Sequence, residues 1–135
     1  MIHKLTVMLL LRGLALAQAA PRSASSKNDS EQDFMNLMKT AADGWNEGNA
    51  RKAADCFAED AVYMEPPDHQ VYFGRQAVYD FFGGPVKPEP PMQMRWHHLA
   101  FNAEEEIGYG EYTFQTNNRY HGVVTVLLRN GKIAK

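Results

Sequence analysis

The chain has 135 residues, 44% of them hydrophobic and 22% charged, with 14 Lys and Arg against 16 Asp and Glu. That length and balance fit one globular domain, and a formal charge of -2 supplies no basic face for a nucleic-acid partner. The single cysteine, Cys56, excludes an internal disulfide framework and a cysteine-based zinc cluster.

The N-terminus reads as a targeting segment. Lys4 gives a positive start, Leu5 to Leu11 form an apolar run, and Ala17-Gln18-Ala19 supplies the small-x-small pattern of a signal-peptidase site. Residues 1–19 are therefore expected to be a signal peptide, cleaved to leave an exported (periplasmic or secreted) protein with no membrane attachment. The alternative is an N-terminal amphipathic helix or a membrane anchor, but the run from Leu5 to Ala20 is short for a span and Arg12 breaks it. Loss of Lys4 and Arg12 takes the 14 basic groups to 12 against 16 acidic ones, so the mature chain is acidic. Residues 20–30 are polar, lack large apolar groups and are expected to be a flexible linker. Asn28-Asp29-Ser30 within them matches a glycosylation sequon.

Helices are expected next. Phe34, Leu37, Met38, Ala41, Ala42 and Trp45 recur at three- and four-residue steps, with Asp29 or Ser30 as cap and Gly48-Asn49 as stop. Ala53, Ala54, Phe57 and Ala58 predict a short second helix. Ala61 to Glu65 reads as a strand stopped by Pro66-Pro67, and Val71-Tyr72-Phe73 as another. After Gly74, the pattern Ala77, Val78, Phe81, Phe82 predicts a third helix.

The period then changes. Residues 92–102, 107–116 and 120–128 are rich in aromatic and β-branched residues and are separated by turn signals, so three strands are expected. Asn130-Gly131 predicts a hairpin into a last strand from Lys132. Helices first and strands later give an α+β domain, a curved antiparallel sheet wrapped around the N-terminal helices. Apolar residues on both parities of the late strands predict a homodimer through the sheet's outer face.

Several segments carry a family resemblance. Trp45 to Asn49, Phe57 to Pro66 and Phe73-Gly74-Arg75-Gln76-Ala77-Val78 occur in order, followed by Tyr120-His121-Gly122-Val123 and Asn130-Gly131-Lys132-Ile133. Together they resemble the nuclear transport factor 2-like, or SnoaL-like, superfamily over residues 31–135. The resemblance implies a cone-shaped, cystatin-like α+β barrel with a pocket between sheet and helices, and dimers through the outer face. The family's last strand continues past the Gly-Lys-Ile step, so this one is expected to be truncated.

That resemblance also singles out Glu65. In the ketosteroid isomerase branch, a carboxylate before the proline that ends the first strand is the general base. The branch's partners would fall near Ala41 and near Val124 or Thr125, which cannot fill those roles, so steroid isomerisation is not expected. A base of this kind needs an apolar cavity, where desolvation raises its pKa; the alternative is a rim carboxylate. His98 and His121 are the expected proton-transfer partners, or else surface histidines. His97 follows the opposite parity from His98 and is not expected to share its site. Trp45, Phe57, Tyr63, Phe81, Trp96 and Tyr112 are expected to line the pocket or to fill the core. No motif for a cofactor or metal is present, and Gly108-Tyr109-Gly110 lacks the setting of a phosphate loop. The expected function is binding of a small apolar molecule, with a cofactor-free isomerase, cyclase or dehydratase acting through Glu65 as the alternative.

Overall fold

The computed structural model describes residues 24–65, 69–86 and 93–135; the expected signal segment, Pro66-Pro67 and Asp68 lie outside them. No helix among the described residues is long and apolar enough to cross a membrane. Three helices, α1 (Ala24–Asn46), α2 (Ala50–Ala54) and α3 (Arg75–Phe81), accompany six strands. These are β1 (Val62–Glu65), β2 (Gln70–Phe73), β3 (Gln93–Asn102), β4 (Ile107–Gln115), β5 (Arg119–Arg129) and β6 (Lys132–Ile133).

Helix α1 begins earlier than its apolar stripe. Residues 24–30, expected as linker, contain neither Gly nor Pro, so no local breaker stops the helix from extending back through them. Asp29 and Ser30 consequently lie inside the helix and are not its cap. The stripe does what its spacing predicts: Phe34, Met38 and Ala42 are buried. Gly48, at φ +67°, ends the first helical hairpin, and the Asn49 side chain caps α2 by accepting from Lys52 N at 3.0 Å.

Strands β3 to β6 form one antiparallel sheet in sequence order, and β1 pairs with β2 in a separate ladder. Helix α1 lies on the sheet's inner face, where Phe34 stacks on Phe101 with centroids 4.8 Å apart. The glycines of β4 permit that approach. A Cβ on Gly108 would lie 2.2 Å from the Phe34 ring, and one on Gly110 would lie 2.6 Å from Trp96. The Gly108-x-Gly110 spacing therefore serves sheet packing.

The first and last parts of the domain are tied together. Ile133 forms a parallel bridge with Phe57, and Val62 N donates to Ala134 O at 3.0 Å. The predicted Asn130-Gly131 hairpin forms with both residues at positive φ, 52° and 71°. The Gly74-Arg75 step closes the opposite corner: Gly74 N donates to Ala61 O at 2.7 Å, and Arg75 Nε donates to Phe57 O at 2.7 Å.

Candidate functional site

Strand β1 presents Tyr63 and Glu65 on one face because residues two apart share a face. Their β2 partners are Tyr72 and Gln70, which are hydrogen-bonded to each other through the phenol and the amide oxygen. Tyr63 Oη donates to Glu65 Oε2 at 2.9 Å. Burial pushes the Tyr63 phenol far above its ordinary pKa, and the Glu65 charge adds to that effect. Tyr63 is therefore a neutral donor and Glu65 its half-buried acceptor. Tyr112 of β4 is also raised, by burial first and by Glu65 second, so it faces the same interior.

Aromatic rings surround this pair. Tyr63 lies 5.3 Å from Phe81 and 6.0 Å from Phe57, and Phe81 lies 5.7 Å from Trp45. Trp45 also meets Phe82 edge-on at 4.6 Å and Phe114 at 5.3 Å. Its indole N–H is buried, with no hydrogen-bond partner among the described residues. An orphan donor of this kind carries a desolvation cost unless something accepts from it. Trp96 is different: its Nε1 donates to Met38 O at 3.0 Å, and its ring packs against Tyr112 at 5.9 Å. Phe57 is 5% exposed and belongs to the core.

The predicted histidines lie elsewhere. Glu111 precedes Tyr112 and points to the opposite, outer face of the sheet. There its carboxylate bonds His98 Nδ1 through Oε2 and His121 Nε2 through Oε1, the latter at 2.8 Å. Strand alternation thus separates His98 and His121 from Glu65, and the three do not form one proton-transfer set. The expectation that His97 and His98 face opposite ways also fails. A bulge between Trp96 and His98 adds a residue to β3, and His97 and His98 are both exposed on the outer face. His97 Nε2 lies 2.6 Å from Thr113 Oγ1 and its ring 6.1 Å from that of His121. These side chains and Arg119 line an open hollow of about 540 Å³. Among the described residues no three His, Cys, Asp or Glu groups are placed to hold a metal ion.

Cys56 and the Glu104-Glu105-Glu106 run serve packing and a turn. Cys56 is buried, its Sγ lies 3.6 Å from Lys52 O, and burial pushes the thiol up, the opposite of what a nucleophile needs. The Glu104-Glu105-Glu106 run forms the turn between β3 and β4, where Asn102 Oδ1 accepts from Glu104 N at 3.0 Å.

Sequence reasoning missed Glu111, Thr113 and Arg119 of the outer face, and two relationships within the inner one. Glu111 left no signal of its own, because its role comes from its cross-strand neighbours. The Tyr63–Glu65 pairing was readable as two polar ends sharing one strand face. The orphan N–H of Trp45 depends on tertiary packing alone.

Known proteins share this fold. The sequence profile of a family described as a SnoaL-like domain matches residues 39–135. No curated protein sequence matches the chain. Among solved structures, a protein of unknown function with a cystatin-like fold from Methylobium petroleophilum is similar at a TM-score of 0.68 and 20% identity, covering 77% of this chain and 72% of its own. An NTF-2 like protein from Burkholderia xenovorans is similar at 0.63 and 17% identity, with 76% and 78% covered. The epoxide hydrolase/cyclase-like enzyme SalBIII of salinomycin pyran-ring formation is similar at 0.65 and 20% identity, with 76% and 86% covered.

Proposed function

The chain belongs to the SnoaL-like domain family, and from that premise we propose that its inner aromatic face binds a small, largely apolar molecule carrying one polar group. The observation that carries this reading is the half-buried Glu65, held by the Tyr63 phenol at 2.9 Å among aromatic rings. Glu65 offers an acceptor and Trp45 an unused donor. A hydroxyl on a ring system donates to Glu65, and the surrounding rings, Trp45 among them, supply apolar contact. Titration with 2-naphthol, followed by tryptophan fluorescence, tests it. Saturable binding that weakens about tenfold or more in Glu65→Gln is expected, since a hydrogen bond to a charged group contributes about 1.5–3 kcal/mol, with a smaller loss in Trp45→Phe, which keeps a ring and removes only a neutral donor. Absence of binding at millimolar probe, or equal affinity in both variants, overturns the reading.

A second reading has its own support. A carboxylate beside a phenol that stays protonated is an acid-base pair, and the similar SalBIII is named as an epoxide hydrolase/cyclase-like enzyme. On this reading Glu65 takes a proton next to a carbonyl and needs no cofactor. Exchange of α-deuterium from 2-indanone, followed by NMR, measures that step directly. A protein-dependent rate that falls about 10²–10⁴-fold in Glu65→Gln is expected, and a rate equal to buffer removes the catalytic reading while leaving binding intact.

We also propose export, on the strength of Lys4, the Leu5–Leu11 run and Ala17-Gln18-Ala19. N-terminal sequencing of protein recovered outside the cytoplasm is expected to start at Ala20; an intact Met1 overturns it.

A further inference from the structure

The outer face carries a cluster that the inner site does not use. The β3 bulge turns His97 outward beside His98, so β3 contributes two imidazoles to a face on which a regular strand would place one. β4 adds Glu111 and Thr113, and β5 adds Arg119 and His121. Arg95 of β3 is exposed on the same face, opposite Thr113. Each oxygen of Glu111 already meets an imidazole nitrogen. The two imidazoles hold the Glu111 carboxyl below the ordinary carboxylate range, so it is ionised and has no proton to donate. The facing nitrogens, His98 Nδ1 and His121 Nε2, must therefore be the donors.

This fixes what the remaining nitrogens do. With a neutral ring, His98 Nε2 and His121 Nδ1 carry lone pairs and repel an anion. With a protonated ring the same atoms become N–H donors, while the Glu111 carboxylate continues to hold the opposite edge. Every ring that gains a proton also adds a positive charge to a hollow in which Arg119 is charged throughout. Among the described residues Glu111 is the one carboxylate lining the hollow, and both its oxygens are engaged.

We infer that the hollow bounded by His97, His98, His121 and Arg119 on the outer sheet face is a proton-gated site for a small oxyanion. Its ligand is a sulfate-like or phosphate-like group that meets Arg119 and the outer nitrogens of His98 and His121. The site is weak while both rings are neutral and opens as they gain protons. It is separate from the Glu65 interior and stands or falls independently of ligand binding there.

Sulfate is the probe, because it stays a dianion across the imidazole range and its own titration cannot imitate the effect. The full chain is titrated with sulfate against chloride at matched ionic strength, at about pH 5.5 and about pH 8, with side-chain signals of His98, His121 and Arg119 followed by NMR. The expected affinity is about tenfold or more tighter at the lower pH, with shifts confined to these residues. Arg119→Gln is expected to weaken sulfate at both pH values and keep the ratio between them. His97→Gln/His98→Gln/His121→Gln is expected to abolish the ratio, and its exposed positions leave the fold intact by circular dichroism. Equal affinity at the two pH values overturns the inference. So does a ratio that survives in the triple histidine variant, or a set of shifts elsewhere on the protein that marks an adventitious ion only.

Discussion

Tyr63 and Glu65 stand two residues apart on one face of β1, and the phenol reaches the carboxylate at 2.9 Å. Because burial and the neighbouring charge both oppose phenolate formation, the donor stays a donor throughout the neutral range. The carboxylate is thereby oriented from within its own strand and does not depend on a distant element.

An alkaline prediction follows from that pair. The folded Tyr63 holds its proton above the pH, about 10, at which an unfolded tyrosine releases it. Stability linked to this group is fully present below about pH 10 and is lost as pH rises beyond it, because the folded state then binds more protons than the unfolded state. Tyr63→Phe should lower stability near pH 7 by about 1–3 kcal/mol, since Glu65 loses its donor. The same variant should lose less stability than the parent above pH 10, leaving the shares due to Tyr112, Cys56 and Lys52. Melting temperature against pH measures both, and parallel alkaline slopes would refute the assignment.

Gly108→Ala should be among the most damaging small changes in the sheet. Its new methyl would meet Phe34 Cζ at 2.2 Å, and Phe34 is 1% exposed and stacked on Phe101, so the ring has no free direction in which to retreat. The expected loss is about 1–3 kcal/mol by denaturant titration. Phe34→Leu should recover part of it, giving a positive coupling in a double-mutant cycle. Simple additivity would show that the close approach is not what requires glycine.

Asn46 fastens the end of α1 to the start of β3. Its Oδ1 accepts from Met94 N at 2.6 Å and its Nδ2 donates to Met94 O at 2.8 Å. Asn46→Ala strands both backbone groups in a half-buried setting, so a cost of about 1–3 kcal/mol is expected. Asn46→Asp keeps the acceptor and loses the donor, and should fall between the two in thermal melting. Equal melting of all three proteins would mean that water replaces the clasp.

Much of this fold was legible because helix and strand periods are local properties. The Phe34–Trp45 stripe, the Asn130-Gly131 turn and all of β3, β4 and β5 sit within a residue or two of where spacing placed them. What spacing missed depends on partners. The start of α1 carries no apolar signal, so only the absence of a breaker extends it to Ala24. The bulge at His97 arises from register with β4, and a single extra residue was enough to reverse the reading of which histidines share a face. The grouping of Glu65 with His98 and His121 failed for the same reason that the strands were recognisable: alternation sends Tyr112 inward and Glu111 outward. The inner aromatic residues were identifiable individually, but their division into the Trp45–Phe81–Tyr63 group and the Trp96–Tyr112 pair needed three-dimensional packing.

The outer face should also join two copies of the chain. Alternation sends Val124, Val126 and Leu128 inward to the core cluster and leaves Val123 and Leu127 outward, 73% and 38% exposed, with Tyr109 at 47% on the neighbouring strand. These apolar groups lie beside the histidine hollow, since Val123 pairs with Glu111 across β4 and β5. Leaving them in water forgoes roughly 25 cal/mol for each Å² that association would bury. A homodimer is therefore expected by light scattering at micromolar concentration. Val123→Lys should convert it to a monomer without lowering the melting temperature of the isolated domain, because the side chain touches solvent and not the core. A parent chain that stays monomeric at micromolar concentration removes the dimer; a Val123→Lys chain that remains dimeric moves the interface to another face.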